Sequence, residues 1–256
     1  MRLDDAAWTA HWRGRATGEK VLLSLGLVAV AASSTARVVS GVVLLVALLV
    51  AVLARVPART YLVAVAAPVG FVAVSALAMT VRVGGAPSGD TLAAWGPLSL
   101  SRTGLDTALT VALRSIAAVA ALVLLAATTP MSDLLGWMRR RGAPAVLVEI
   151  AGLVYRLLFA LLDAATTIRQ AQASRLGYHD AATARRSFAL LGAAVLHRSW
   201  TRARRLEDGL AGRGYSGDLL TLQRTPPLSP TFVTASCLVL AALVALSATA
   251  ALRGWA

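Results

Sequence analysis

Residues 21–54 carry a single charge, Arg37, and no proline, and further apolar runs follow at about 61–81, 107–127 and 232–252. A membrane span needs roughly 20 predominantly apolar residues, with a range of about 17–25, so each later run is long enough to cross once. The first run is long enough for two short helices. Arg37 beside Ser33-Ser34-Thr35 places a tight turn at 33–37, which favours a hairpin over the alternative of a single long helix and brings the expected number of spans to five. Composition agrees: 57% of the 256 residues are apolar and 14% are charged, against about 25% charged in ordinary soluble domains.

The charge is unevenly placed. Lys and Arg total 25 against 12 Asp and Glu, for a net +13. Fourteen Arg and seven acids fall in 131–225, while 82–106 is rich in Gly, Pro and Ser and balances two Arg with two Asp. Cytoplasmic loops of membrane proteins are enriched in cations. A cytoplasmic amino terminus puts 20 of the 25 cations inside, and the opposite orientation would strand them outside. The predicted organisation is a cytoplasmic segment 1–20, a transmembrane block 21–129 of about four helices, a cytoplasmic domain 130–225 and a last span within 226–256. Asp4 and Asp5 argue against a cleaved signal peptide. The lone Cys237 excludes an internal disulfide, and His11, His179 and His197 are too scattered for a metal cluster.

Within 130–225 the spacing predicts two long helices, about 144–176 and 182–212. The first begins apolar and becomes polar after Thr166. The second carries Arg198, Arg202, Arg204 and Arg205 on its polar side, a pattern suited to an anionic membrane surface. Their ends look alike: Ala173-Ser174-Arg175-Leu176-Gly177-Tyr178 and Ala211-Gly212-Arg213-Gly214-Tyr215, with Ala and Arg offset by 38 residues in both. Glycine ends a helix in the left-handed conformation, and a cation in the last turn favours the helix dipole, which accounts for each end taken singly. Taken together they form two narrow projections, each with one planar cation able to make bidentate hydrogen bonds to a carboxylate or to backbone carbonyls. Two such tips imply two copies of a partner.

At these residues the chain resembles the T component of energy-coupling factor (ECF) transporters, the CbiQ/EcfT family. The likeness runs from Glu19-Lys20 through Thr128-Thr129-Pro130, Asp133-Leu134-Leu135, Pro144 and Tyr155-Arg156 to the two Arg-centred tripeptides. The resemblance implies an all-α polytopic membrane protein of the bacterial cell membrane, with about five transmembrane helices and long amphipathic coupling helices in its cytoplasmic domain. It implies a scaffold between a substrate-binding membrane S component and two ATP-binding-cassette ATPase subunits, with no enzymatic activity and no cofactor of its own. Ala173, Ser174, Arg175, Leu176, Ala211, Gly212, Arg213 and Gly214 would dock the ATPases. The family often has a small residue where this chain has Leu176. The Trp-rich start followed by Glu-Lys resembles the cobalt-type branch, with nickel or a vitamin as alternative substrates.

Rival classes are weaker. Gly14-Arg15-Ala16-Thr17-Gly18-Glu19-Lys20 superficially resembles a phosphate loop, but its glycine spacing is one short, Glu19 precedes the lysine and Val21 stands where Ser or Thr is needed. No nucleophile-base set or intramembrane acidic pair points to a membrane enzyme. A stand-alone transporter would draw on Arg114, which lies inside the fourth span, although so long a side chain can also reach toward the surface. Topology explains the arginines without nucleic acid, and no aromatic platform interleaves them. Trp8, Trp12, Trp95, Trp137 and Trp255 lie near expected span ends, as interface anchors do.

Overall fold

Helix breakers and caps spaced along the sequence mark where each element begins. In the computed structural model, which describes residues 2–83, 91–95, 98–215 and 226–252, the order is α1 (Arg2–Thr9), a 3-10 turn (His11–Gly14), α2 (Thr17–Ser33), α3 (Arg37–Leu53), α4 (Ala58–Ala66), α5 (Val69–Thr80), β1 (Val81–Val83), β2 (Thr91–Trp95), β3 (Leu98–Ser101), α6 (Arg102–Thr128), α7 (Met131–Arg140), α8 (Ala145–Ser174), α9 (Ala181–Ala211) and α10 (Pro230–Leu252). Pro57 and Pro144 stand at N-caps, Pro130 immediately precedes α7 and Pro230 opens α10. A missing N–H costs nothing at these positions. Ser101 and Asp180 cap α6 and α9, accepting the N–H groups of Gly104 and Thr183 and so satisfying donors that the first helical turn leaves free.

The chain divides into two compact units, Met1–Leu134 with Arg224–Ala256, and Leu135–Gln223. In the first, α6 packs against α1, α2, α3, α4 and α5, while α10 packs against α2 and α3. Small residues permit this crowding: Ala117, Ala120, Ala121 and Ala127 of α6 are buried, with Leu124 filling the space between them. On α3 the buried stripe recurs every fourth residue at Val39, Val43, Ala47 and Ala51, while Leu45, Leu49 and Val52 on other faces stay exposed. A helix apolar all round, with one narrow face packed, is solvated by hydrocarbon on the rest. Specific polar contacts fix the arrangement: Tyr61 Oη donates to Ala120 O (2.8 Å), and Arg37 binds Thr110 Oγ1 (2.7 Å), Asp106 O (2.8 Å) and the Asp106 carboxylate (3.0 Å).

In the second unit α8 and α9 pack on each other. Each is 30 or 31 residues long, which is about 45 Å at 1.5 Å per residue. α7 closes on Gly142 with φ 93°, and the Arg141 guanidinium lies 5.3 Å from the Trp137 ring centre.

The all-α expectation holds, with a small antiparallel sheet of order β1-β3-β2 added in the 82–106 connection. The hairpin expected at 33–37 is present between α2 and α3, where the Ala36 N–H bonds Ser34 Oγ. Three details differ. The run 58–80 is interrupted at Ala67-Pro68, because Pro68 has no N–H to donate within the helix. α6 begins at Arg102 rather than 107, since Ser101 caps it there. By length and composition four described helices can cross a membrane: Ala58–Thr80, Arg102–Thr128, Ala145–Ser174 and Pro230–Leu252. The third of these is α8, which the sequence places in the cytoplasmic segment, whereas α2 and α3, at 17 residues each, sit at the lower edge of spanning length.

Leu124, 1% exposed, gives a direct test of this packing. Leu124→Ala should destabilise the first unit by about 2–4 kcal/mol, whereas Leu45→Ala, at a position 66% exposed, should stay within about 0.5 kcal/mol. Unfolding in mixed micelles measures both, and equal losses would contradict the assignment of faces.

Candidate functional site

Residues 173–176 and 211–214 end the two long helices of the second unit, and all of them are exposed. At the end of α8 the Leu176 N–H bonds Ala173 O (3.0 Å) and the Gly177 N–H bonds Gln172 O (2.8 Å). At the end of α9 the Gly214 N–H bonds Ala211 O (3.1 Å) and the Tyr215 N–H bonds Leu210 O (3.1 Å). These are the two paired bonds of a Schellman cap, and they superpose with the same 38-residue offset as the sequence motif. Arg175 and Arg213 therefore occupy equivalent positions, each directly before the left-handed residue. That residue is Leu176 at the first end (φ 58°) and Gly214 at the second (φ 70°).

This corrects the sequence reading of the first end, which gave the left-handed role to glycine. Gly177 is buried and serves a different purpose. A Cβ there would lie 2.7 Å from Ser187 Oγ and 2.8 Å from Gln172 O, so only glycine lets the turn close against α9. Around it Ser187 Oγ donates to Gly177 O (2.8 Å), Gln172 Nε2 donates to Ser187 O (3.0 Å) and Tyr178 Oη donates to Gln172 Oε1 (2.7 Å). The network holds the turn while leaving Leu176, 70% exposed, and Arg175 projecting. A leucine at positive φ carries about 1 kcal/mol of steric strain.

The second tip is held differently. Tyr215 Oη bonds Glu149 Oε1, a lone acid in the apolar start of α8. Since α9 begins beside the first tip, its length separates the two arginines by about 45 Å. The same cap ends α7, where Arg141 precedes Gly142, but Arg141 lies on Trp137. Beyond the backbone N–H bonds of the caps, the guanidinium groups of Arg175 and Arg213 have no hydrogen-bond or ion-pair partner among the described residues.

Other candidates are less well built. Arg114 is half-buried in α6. A shallow cavity of about 170 Å³ between α5 and α6 is lined by residues such as Phe71, Val72, Ser75, Ala112 and Ser115, without carboxylate, imidazole or thiol. His179 contacts Leu176 O (3.0 Å) and Asp180 (2.8 Å). Trp8 lies beneath Arg13 and Trp200 beside Arg204. Trp95 is on β2, and Trp255 lies outside the described residues, as does the 216–225 end of the basic segment.

A family model described as CbiQ, cobalt transport protein, matches residues 9–225. The chain belongs to the CbiQ cobalt transport protein family. A cobalt transport protein CbiQ of Rhodobacter capsulatus is 37% identical over 231 residues, covering 89% of this chain and 90% of that one. An uncharacterised Methanocaldococcus jannaschii protein is 27% identical, covering 86% and 83% respectively. The CbiQ of Salmonella typhimurium is 33% identical over 121 residues, 47% of this chain and 54% of that protein. Both arginine tips fall inside the stretch matched by the CbiQ family model.

At the two tips, the contacts missed by the sequence reading of this CbiQ-family chain include Glu149 with Tyr215 and Gln172 with Ser187. Only the isolated acid at 149 in an apolar run signalled the first. Leu176→Gly should stabilise the second unit by about 1 kcal/mol by removing the left-handed strain. Gly177→Ala should cost about 1–3 kcal/mol through overpacking. Denaturant unfolding distinguishes them, and a loss of stability in Leu176→Gly would contradict the cap geometry.

Proposed function

We propose that this chain is the T component of an ECF-type importer. It is a membrane scaffold that carries the closing motion of two ATP-binding-cassette ATPase subunits to a substrate-binding S component. The observation that carries the reading is the pair of identically capped helix ends, each offering one exposed guanidinium without a partner among the described residues. A planar guanidinium on a narrow tip suits a groove lined by carboxylates or carbonyls. A separation near 45 Å suits two bodies rather than one. Docking then involves Ala173, Ser174, Arg175 and Leu176 in one ATPase, and Ala211, Gly212, Arg213 and Gly214 in the other.

The mechanism is mechanical. ATP binding draws the ATPases together, the docked tips move with them, and two rigid helices pass the displacement toward the membrane, where it alters the S component. Hydrolysis resets the arrangement. The chain supplies coupling between sites, and the free energy comes from its partners. Cobalt is the proposed substrate, supported by the CbiQ family membership and by the names of two relatives. The charge distribution supports a cell-membrane location with the amino terminus and the basic segment in the cytoplasm.

Arg213→Ala should lower co-purification of the ATPases by about tenfold or more, in line with loss of a charged anchor, and Arg175→Ala should lower it less. Membrane insertion should be intact in both. Undiminished recovery of the ATPases with both arginines removed would refute the docking role, and uptake of nickel or a vitamin in place of radioactive cobalt would reassign the substrate.

A further inference from the structure

Two adjacent residues at the start of α2 carry opposite charges and are almost wholly buried: Glu19 is 1% exposed and Lys20 is 2% exposed. Burying a charge is costly unless it is paired and hydrogen-bonded, so their partners matter. Lys20 Nζ donates to Thr128 O (2.9 Å), the final residue of α6. Its counter-charges are Asp133, in the first turn of α7, and Glu19. Glu19 Oε1 accepts the backbone N–H of Ser229, directly before α10. The same return segment is gripped again one turn on. The Trp12 ring meets Phe232 edge-on at 5.1 Å, and the Arg15 guanidinium lies 4.7 Å from Phe232 and 5.4 Å from Trp12.

These two contacts coincide with the places where the chain passes between its units. It leaves the first unit after Leu134 and re-enters at Arg224. Thr128 and Asp133 precede the exit, and Ser229 follows the return. Between them Pro130 is fully buried, so the exit segment is packed as well as bonded. We propose that Glu19 and Lys20 form a double latch, in which Lys20 secures the outgoing connection and Glu19 the returning one, so that motion of the second unit enters the membrane helices through two fixed points. The arrangement is economical, because one helical turn of α2 governs both connections. The mechanical consequence rests on the coupling role proposed above, whereas the latch itself rests only on contacts within the first unit.

Hydrogen–deuterium exchange on the full chain in lipid nanodiscs tests the latch directly. Lys20→Met should raise exchange about tenfold in 128–134 and leave 226–233 unchanged, and Glu19→Leu should do the reverse, since each removes one charge-assisted bond. Either single variant strands a buried charge, so the double variant Glu19→Leu/Lys20→Met is the decisive form. It removes both charges together and retains an apolar core. It should insert normally, loosen both segments about tenfold, recover the ATPases at wild-type level and lose most ATP-driven uptake when co-expressed with ATPases and S component. Wild-type exchange at both segments, or a uniform rise through α2, α3 and α6, would overturn the latch. Undiminished uptake with both segments loosened would overturn its mechanical role. Failure of even the wild-type chain to bind ATPases would instead count against the coupling reading and leave the exchange result standing.

Discussion

Hydrocarbon gives apolar helices no reason to leave lipid for one another, so their association depends on close packing and on a few directed polar contacts. In this chain both are concentrated on α6. Its alanine face lets α2, α3 and α5 approach, and three anchors are spread along its length. Arg37 binds Asp106 and Thr110 near its start, Tyr61 binds Ala120 toward the middle, and Lys20 binds Thr128 at its end. Tyr61 and Lys20 use a backbone carbonyl of α6 as acceptor, and Arg37 adds the carbonyl of Asp106. The register of the first unit is thereby tied to the main chain of its central helix.

The second unit solves a different problem. A helix end must satisfy its last carbonyls, and an exposed end has few neighbouring groups to do so. The Schellman closure meets this need, because backbone N–H groups do the capping and the arginine before the left-handed residue is left pointing outward. At the α8 end this is achieved with a leucine in the strained position. The Gln172, Ser187 and Tyr178 network behind it supplies the surrounding stability that such strain requires. At the α9 end glycine removes the strain, and the tether runs to Glu149 instead.

Much of this was legible in the residues. The apolar runs, the turn at Ser34 and the proline punctuation located most helices, and the repeated Ala-x-Arg motif located both tips with their true offset. The small sheet was not legible, because its strands are three to five residues long and no alternation can establish itself over so few. The pairing of Glu19 with Ser229 and of Lys20 with Thr128 spans 210 and 108 residues of sequence. Nothing in the local pattern of 17–20 signals a partner so far away. Glu19-Lys20 stood out only as part of a failed phosphate-loop match and of a family likeness.

The sequence by itself determined the helical class, the two-part organisation of charge and the identity of the arginine tips, since hydropathy, breakers and caps act over a few residues. Only the tertiary structure decided which residue at the first tip takes the left-handed conformation, why Gly177 must be glycine, and that two neighbouring buried charges bond Thr128 at the end of α6 and Ser229 before α10. Those depend on close approach of segments distant in the chain, where the cost of a Cβ or an unpaired charge is set by what packing brings near.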